Sequence, residues 1–137
     1  MRVLILTLIL LVPLSSNSLA MSNGDLYQYC KPYADRVFEY KESTDLICAS
    51  YFRGVADSGM GTCSAIKEII ATLPLTPGQK AILRIAMSAE GLVFADGSQI
   101  KPAIQIFVNE MATSPERWDS NPVMAVHNSL KKIVPCE

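Results

Sequence analysis

The sequence predicts an all-α fold: a compact bundle of five or six short helices stapled by two disulfides. Apolar residues recur with helical spacing along most of the chain, and prolines, glycines and capping residues separate these segments. Amphipathic helices of this kind must bury their apolar faces against one another. The four cysteines follow an export-type leader, and an even number in a short exported chain indicates disulfides.

The first 20 residues have the pattern of a signal peptide. Arg2 supplies a positive start, residues 3–12 form an apolar run with Thr7 as its one polar member, and Ser18-Leu19-Ala20 matches a small-x-small cleavage site. A run of ten residues is too short to span a bilayer. We therefore expect export, cleavage near Ala20, and one helical domain over residues 21–137.

The charge of this mature chain argues against two classes of partner. Removing 20 of 137 residues leaves 117, with 11 basic and 13 acidic side chains and a formal net charge of −2. Nucleic acids and anionic membranes both need a concentrated basic face. We expect neither as a partner.

The first helix is predicted from Leu26, with Asp25 as its N-cap. Its apolar side chains fall at i, i+3, i+4 and i+7, and Pro32 should shorten, kink or restart it. Ser43 or Thr44 could cap the next helix, with Asp45 favourable in its first turn.

The central helix is predicted from Asp45 to about Met60. Four residues recur every three positions and therefore share one side of it: Cys48, Tyr51, Gly54 and Asp57. Small side chains such as Ser50 and Gly54 would let neighbouring helices approach closely. Gly59 and Gly61 suit the left-handed conformation that ends helices, so we expect a stop there and a separate helix from Ser64 to Leu73.

The second half of the chain has clearer signals for where helices begin and end. Thr76-Pro77-Gly78-Gln79 predicts an N-cap, a proline at the first position and a capping box. The helix that follows is apolar on most faces, so we expect it to be buried until Gly91 weakens or ends it. Residues 92–101 predict a loop. Two more helices follow. The first runs from Ala103 to Met111 and has four apolar residues on one stripe: Ile104, Phe107, Val108 and Met111. The second runs from Asn121-Pro122 to Pro135, with four residues expected to face inward: Val123, Val126, Leu130 and Ile133.

Geometry limits the disulfide pairing without fixing it. Cys48 would lie about 18 Å from the end of the central helix, and the three residues leading to Cys63 reach back only about 10 Å. A disulfide needs Cα atoms within about 7 Å, which excludes Cys48–Cys63 and its complement. Two patterns remain: Cys30–Cys48 with Cys63–Cys136, or Cys30–Cys63 with Cys48–Cys136.

The residues do not predict catalysis, a cofactor or a metal site. His127 is the only histidine, and the cysteine spacings of 18, 15 and 73 lack the Cys-x2-Cys pair of zinc sites. A helix-surface or half-buried role for His127 is favoured over a general base. Asp57 is expected to cap a neighbouring helix or to pair with an arginine such as Arg53 one turn back, and Trp118 serves equally well as a core plug or a binding residue. We expect a protein that is not an enzyme.

Several motifs, in order, resemble one family, the small periplasmic immunity proteins that neutralise type VI secretion amidase effectors (the Rap/Tai immunity family). The Cys-x2-Tyr-x2-Gly-x2-Asp helix comes first, at Cys48, Tyr51, Gly54 and Asp57. A Gln-led helix ending in Ser-Pro-Glu-Arg follows, from Gln105 to Arg117, and the chain closes on Val134-Pro135-Cys136. The resemblance covers roughly the whole mature chain, and it gives Tyr51, Gly54 and Asp57 a structural role.

The chain departs from this family at two places. Many relatives carry Cys-x-Pro before the Gln-led helix, where this chain has Phe94-Ala95-Asp96. Its third cysteine is instead Cys63, followed by an additional helix pair through Gly91.

The resemblance implies a periplasmic protein that binds and blocks a peptidoglycan-cleaving amidase, with a homodimer as a further expectation. We predict the partner-binding loop at Phe94, Asp96, Gly97 and Ser98, because loops on a rigid scaffold commonly carry binding residues. The alternative is a periplasmic stress or chaperone-like binding protein without catalytic activity.

Overall fold

The computed structural model describes residues 20–92 and 97–136. Five α-helices are found there: α1 (Asn23–Asp35), α2 (Ser43–Thr72), α3 (Pro77–Glu90), α4 (Gly97–Thr113) and α5 (Pro122–Lys131). A short 3-10 helix (Pro115–Arg117) joins α4 to α5. The predicted all-α fold with two disulfides is confirmed.

The core lies where α1, α4 and α5 pack around the first half of α2. Phe52 of α2 meets Phe107 of α4 edge to face, with ring centroids 5.7 Å apart, and neither is exposed. The inward stripe predicted on α4 is confirmed by its four buried side chains: Ile104, Phe107, Val108 and Met111. Trp118 closes one end, because its indole N–H donates to the Met111 carbonyl at 2.8 Å and its ring packs on Tyr27.

Helix α2 is one continuous helix of 30 residues, so the predicted stop at Gly59 and Gly61 is wrong. No described glycine has a positive φ, and both residues are helical. Gly59 is glycine for a different reason: Leu92 packs directly on it, and a Cβ there would lie 2.7 Å from Leu92 Cδ1. Cys63 consequently lies within the helix rather than past its end.

Two helix starts also differ from expectation. Ser22 rather than Asp25 caps α1, and Asp25 completes the capping box from the third helical position. Glu42 precedes α2, with Asp45 in its first turn. Pro32 lies within α1, which continues to Asp35.

Helix α4 begins at Gly97, six residues before the expected start at Ala103. Pro102 is therefore inside it. One proline this near the start removes only the hydrogen bond to the carbonyl four residues earlier, at Ser98, so the following turns still form.

The second half of α2 and α3 form an arm. Among the described helices, α3 packs against α2, and Lys131 of α5 donates to its Ala89 carbonyl at 3.2 Å. Thr76 caps α3 with the predicted box to Gln79, which is confirmed. The predicted burial of α3 is wrong: Ile82 is 67% exposed and Ile85 69%, because no other helix covers its outer side.

The disulfides are Cys30–Cys48 and Cys63–Cys136, the first of the two predicted patterns. Cys30–Cys48 joins α1 to the start of α2, and Cys63–Cys136 joins the middle of α2 to the C-terminal segment. A lone β-bridge between Leu92 and Pro135 lies beside the second disulfide. Both ends of the domain are thus fastened to α2.

Candidate functional site

A groove runs between α2 and α5, and we call it the α2–α5 groove. Its volume is about 550 Å³, within the range of about 300–1,000 Å³ typical of binding clefts. Small side chains one turn apart on α2 line one side of it: Ser50, Gly54, Ser58 and Thr62. Val123, Met124 and His127 line the other side from α5.

Gly54 keeps the floor of this groove open. A Cβ at this position would meet nothing within 4 Å. Glycine here is therefore not required for close helix packing, contrary to the expectation from sequence. Its absent side chain leaves the groove clear instead.

The α5 wall presents apolar side chains to solvent. Val123 is 43% exposed and Met124 57%, whereas His127 is buried. The predicted inward position of Val123 is thus wrong, while Val126 and Leu130 are buried as expected. Val123 follows Pro122 at the start of α5, where its side chain faces the groove instead of the core.

Tyr51 and Asp57 of the Cys-x2-Tyr-x2-Gly-x2-Asp motif have different surroundings. Tyr51 lines the groove and packs partly against the core, and burial raises the pKa of its phenol. Asp57 points outward, half exposed, with its carboxylate 3.7 Å from Arg53 Nε, the pairing expected from sequence. Such exposed pairs contribute little to stability.

The groove lining is mainly apolar with a few polar groups. It offers serine and threonine hydroxyls and one imidazole, and no Asp or Glu is among the described residues that line it. Within the described ranges, no cluster of three or more His, Cys, Asp or Glu residues could hold a metal ion.

A second, smaller cleft of about 220 Å³ lies on the other side of α2, and we call it the Tyr40 cleft. The α1–α2 connection contributes Tyr40, α2 contributes Leu46 and Arg53, and α4 contributes Ile100 and Lys101. Ser50 lines both clefts. Arg53 of the Tyr40 cleft pairs with the half-exposed Asp57, which lines neither cleft.

Aromatic stacking and a buried ion pair fix the Tyr40 cleft. Tyr40 stacks on Tyr33 with centroids 4.9 Å apart, and burial together with a hydrogen bond to Tyr40 raises the pKa of Tyr33. Nearby, the unexposed Asp45 carboxylate accepts from Arg36 at 2.5 Å and from the backbone N–H groups of Lys41 and Glu42. The α1–α2 connection is therefore held in one conformation.

Only two of the four residues predicted to bind the partner lie in the part of the chain that the structure describes. Phe94 and Asp96 lie outside the described residues. Gly97 and Ser98 form the first turn of α4 rather than a loop, one turn before Lys101. The role predicted for them stays a prediction.

Sequence reasoning missed the groove because tertiary packing creates it. One signal was present: Ser50, Gly54, Ser58 and Thr62 recur every four residues, which places them on one side of a helix. Their partner wall on α5 cannot be read from the α2 sequence.

No family model, curated protein or solved structure matches this chain. In the part of the chain that the structure describes, no helix has the length and apolar character needed to cross a membrane. The resemblance to the immunity proteins therefore rests on the ordered motifs of the chain itself.

Proposed function

We propose that this chain is a periplasmic immunity protein that binds and blocks a peptidoglycan amidase effector of a type VI secretion system. The observation that carries the proposal is the α2–α5 groove, which Tyr51 and Gly54 of the family motif line. An open apolar groove on a scaffold with two disulfides fits a protein that binds a partner with little loss of conformational freedom.

The exposed residues around the groove support a protein partner. Met124 is 57% exposed on one wall, and Tyr40 is 57% exposed across the ridge of α2. Aromatic residues and methionine are enriched in protein interfaces, and tyrosine and arginine are common among the residues that dominate binding energy. Arg53 lines the Tyr40 cleft and is half exposed.

The test measures whether the mature protein binds and inhibits a cognate peptidoglycan amidase effector of a type VI secretion system. The mature protein is titrated into the purified amidase, and the dissociation constant and residual hydrolysis of peptidoglycan are measured. We expect a tight complex that abolishes hydrolysis. Absence of binding would contradict the proposal.

A matched pair of variants locates the contact. Gly54→Leu fills the groove, whereas Gly61→Leu lies on the same helix and also has nothing within 4 Å of its Cβ. Gly54→Leu should weaken binding by about tenfold or more, the scale of a central interface residue, and Gly61→Leu should bind as the wild type does. Equal binding by both would exclude the groove as the contact.

The predicted loop is tested by the double variant Asp96→Lys, Ser98→Trp in the same assay. A loop that enters the amidase cleft predicts loss of inhibition. Undiminished inhibition would remove residues 94–98 from the contact.

Sedimentation of the free protein tests the predicted homodimer.

A chaperone-like role is the second candidate, and the arm favours it. Ile82 and Ile85 expose two large apolar side chains on α3, and exposed apolar surface is what binds unfolded clients. Protection of an acid-denatured client that is lost in Ile82→Ser, Ile85→Ser, together with no amidase binding, would favour this role.

A further inference from the structure

The arm carries a cleft between its two helices, and we call it the arm cleft. Its volume is about 650 Å³, within the range of binding clefts. Each helix contributes side chains three or four positions apart, which share one of its faces. These residues are Lys67, Ile70 and Ala71 from α2, and Arg84, Ile85 and Ser88 from α3.

Buried residues form the floor of the arm cleft and hold it in place. Met87 and Cys136 line the cleft and are both buried. Cys136 is bonded to Cys63 of α2, and its N–H donates to the Gly91 carbonyl, just after α3, at 3.3 Å. Both walls are therefore tied to one segment. An occupant meets a cleft that already has its shape, which lowers the cost of binding.

The walls of the arm cleft leave apolar surface without cover. Ile85 lines the α3 wall and is 69% exposed, and Ile70 lines the α2 wall half-buried. Removing such side chains from water is favourable. The cleft therefore favours an occupant with an apolar surface of its own.

Two cations without an ionic partner line the same cleft, Lys67 on one wall and Arg84 on the other. Within residues 20–92 and 97–136, the side chain of neither forms a salt bridge or a hydrogen bond. No described residue that lines the cleft is acidic, and Glu68, next to Lys67, is outside the lining. Lys131 of α5 brings another positive charge to the last turn of α3.

The charge of the arm as a whole has the same sign. Residues 64–90 contain three basic and two acidic side chains, a formal net charge of +1. They are Lys67, Lys80 and Arg84, and Glu68 and Glu90. Taking them from the 11 basic and 13 acidic side chains of the mature chain leaves 8 and 11, a net charge of −3. The arm is thus the basic part of an acidic protein.

This combination of charge and apolar surface selects the occupant. Anything that covers Ile70 and Ile85 also removes water from Lys67 and Arg84, and a desolvated cation is costly unless an anion pairs with it. Because cations lie on both walls, the occupant needs anionic groups on both sides of an apolar stripe. An amphipathic helix with Asp or Glu beside its apolar stripe has this arrangement. A lipid with a single anionic head group would match one wall only.

We propose that the arm cleft binds an acidic amphipathic helix of a partner protein. The helix packs its apolar stripe on Ile70 and Ile85 and pairs its carboxylates with Lys67 and Arg84. This surface is separate from the α2–α5 groove, because no described residue lines both. The inference therefore goes beyond the proposed inhibition of an amidase and does not depend on it.

Synthetic peptides of about 18 residues, long enough to form a helix, test this surface by fluorescence polarisation with the mature protein. The first has leucines at i, i+3, i+4 and i+7 with glutamates on both sides of the stripe. The second has lysine in place of each glutamate. The third has the composition of the first with leucines at alternate positions, so that no helical stripe forms. The first peptide should bind, and the dissociation constants of the others should be about tenfold higher or more.

Two matched comparisons locate the peptide, and all the residues changed are exposed. Lys67→Glu and Arg84→Glu should each weaken binding by about fivefold or more, the scale of an exposed ion pair. Arg117→Glu, on the 3-10 helix that packs against α1 and α4, should bind as wild type does. Ile85→Ser should weaken binding by about tenfold or more. Ile82→Ser, three residues earlier and outside the cleft lining, should not.

Four results would overturn the inference. The first is a glutamate peptide that does not bind, or binds no better than the lysine peptide. The second is an equal loss in Ile82→Ser and Ile85→Ser, which would indicate adhesion to the outer side of α3. The third is binding to phosphatidylglycerol vesicles, lost in Arg84→Glu, without peptide binding. The fourth is a wild-type dimer that Ile85→Ser dissociates, which would make a second copy the occupant. Peptide binding without amidase binding would contradict the proposed function alone.

Discussion

Leu92 lies against Gly59 in the middle of α2. Its N–H donates to the Gly59 carbonyl at 3.1 Å, and a Cβ on Gly59 would meet Leu92 Cγ and Cδ1 at 2.7 Å. Leu92 is fully buried. It also forms an isolated β-bridge with Pro135. The segment after α3 therefore packs against the centre of α2, where the missing side chain of Gly59 leaves room for Leu92.

Gly59→Ala should destabilise the protein because the buried Leu92 side chain must move. We expect a loss of about 1–3 kcal/mol in the free energy of unfolding, typical of overpacking. Gly61→Ala is the control on the same helix, and its open surroundings predict a gain of about 0.5–1 kcal/mol from helix propensity. Urea denaturation of both variants measures the difference. Equal stabilities would contradict the packing described at Gly59.

The two disulfides should differ in their contribution to stability. Cys63–Cys136 closes a loop of 73 residues and Cys30–Cys48 one of 18. Loop-closure entropy then predicts losses of about 4 and about 3 kcal/mol for the paired serine variants. Denaturant unfolding of Cys63→Ser, Cys136→Ser beside Cys30→Ser, Cys48→Ser tests the order. A greater loss from the shorter loop would contradict the entropic account.

Asp45 should make the protein sensitive to acid. Burial acts to raise the pKa of its carboxyl, but the N–H groups of Lys41 and Glu42 and the Arg36 guanidinium together outweigh burial and lower it. A folded pKa below the unfolded value of about 3.9 gives stability that is complete above that pH and is lost as pH falls through the folded pKa. The melting temperature should therefore fall steeply below about pH 4.

Asp45→Asn isolates this contribution. Its melting temperature should be lower at neutral pH and should depend less on pH in the acid range. Some dependence should remain, because hydrogen bonds from Ser22 also lower the pKa of Asp25. Asp35→Asn removes only an exposed pair with Lys31 and should track wild type. An unchanged pH profile in Asp45→Asn would contradict the role assigned to this carboxylate.

Local signals predicted the parts of the fold that local chemistry decides. The Thr76 cap and the buried stripe of α4 follow from neighbouring residues. The end of α5 does not, because the helix ends at Lys131 rather than at the predicted Pro135, and the partner of Cys136 lies 73 residues away in the sequence. The helix stop predicted at Gly59 was wrong because glycine occurs both at helix ends and where a neighbouring side chain packs closely on a helix. Only the position of Leu92, 33 residues later, distinguishes the two uses.

The candidate site was less predictable, for a related reason. The Cys48, Tyr51, Gly54 and Asp57 spacing placed a motif on one helix, yet the groove needs α5 as its second wall. The prediction that α3 is buried was wrong because an apolar helix face does not show which element of the fold, if any, packs against it. Ile85 shows this most clearly, being apolar by sequence and 69% exposed in the fold.

We propose that this chain inhibits a peptidoglycan amidase by direct binding. The decisive measurement is peptidoglycan hydrolysis by the cognate amidase effector, titrated with wild type, Gly54→Leu and Gly61→Leu. We predict that one equivalent of wild type or Gly61→Leu stops hydrolysis. Gly54→Leu should stop it only at a concentration about tenfold higher or more. Hydrolysis that continues unchanged in excess wild-type protein would contradict the account.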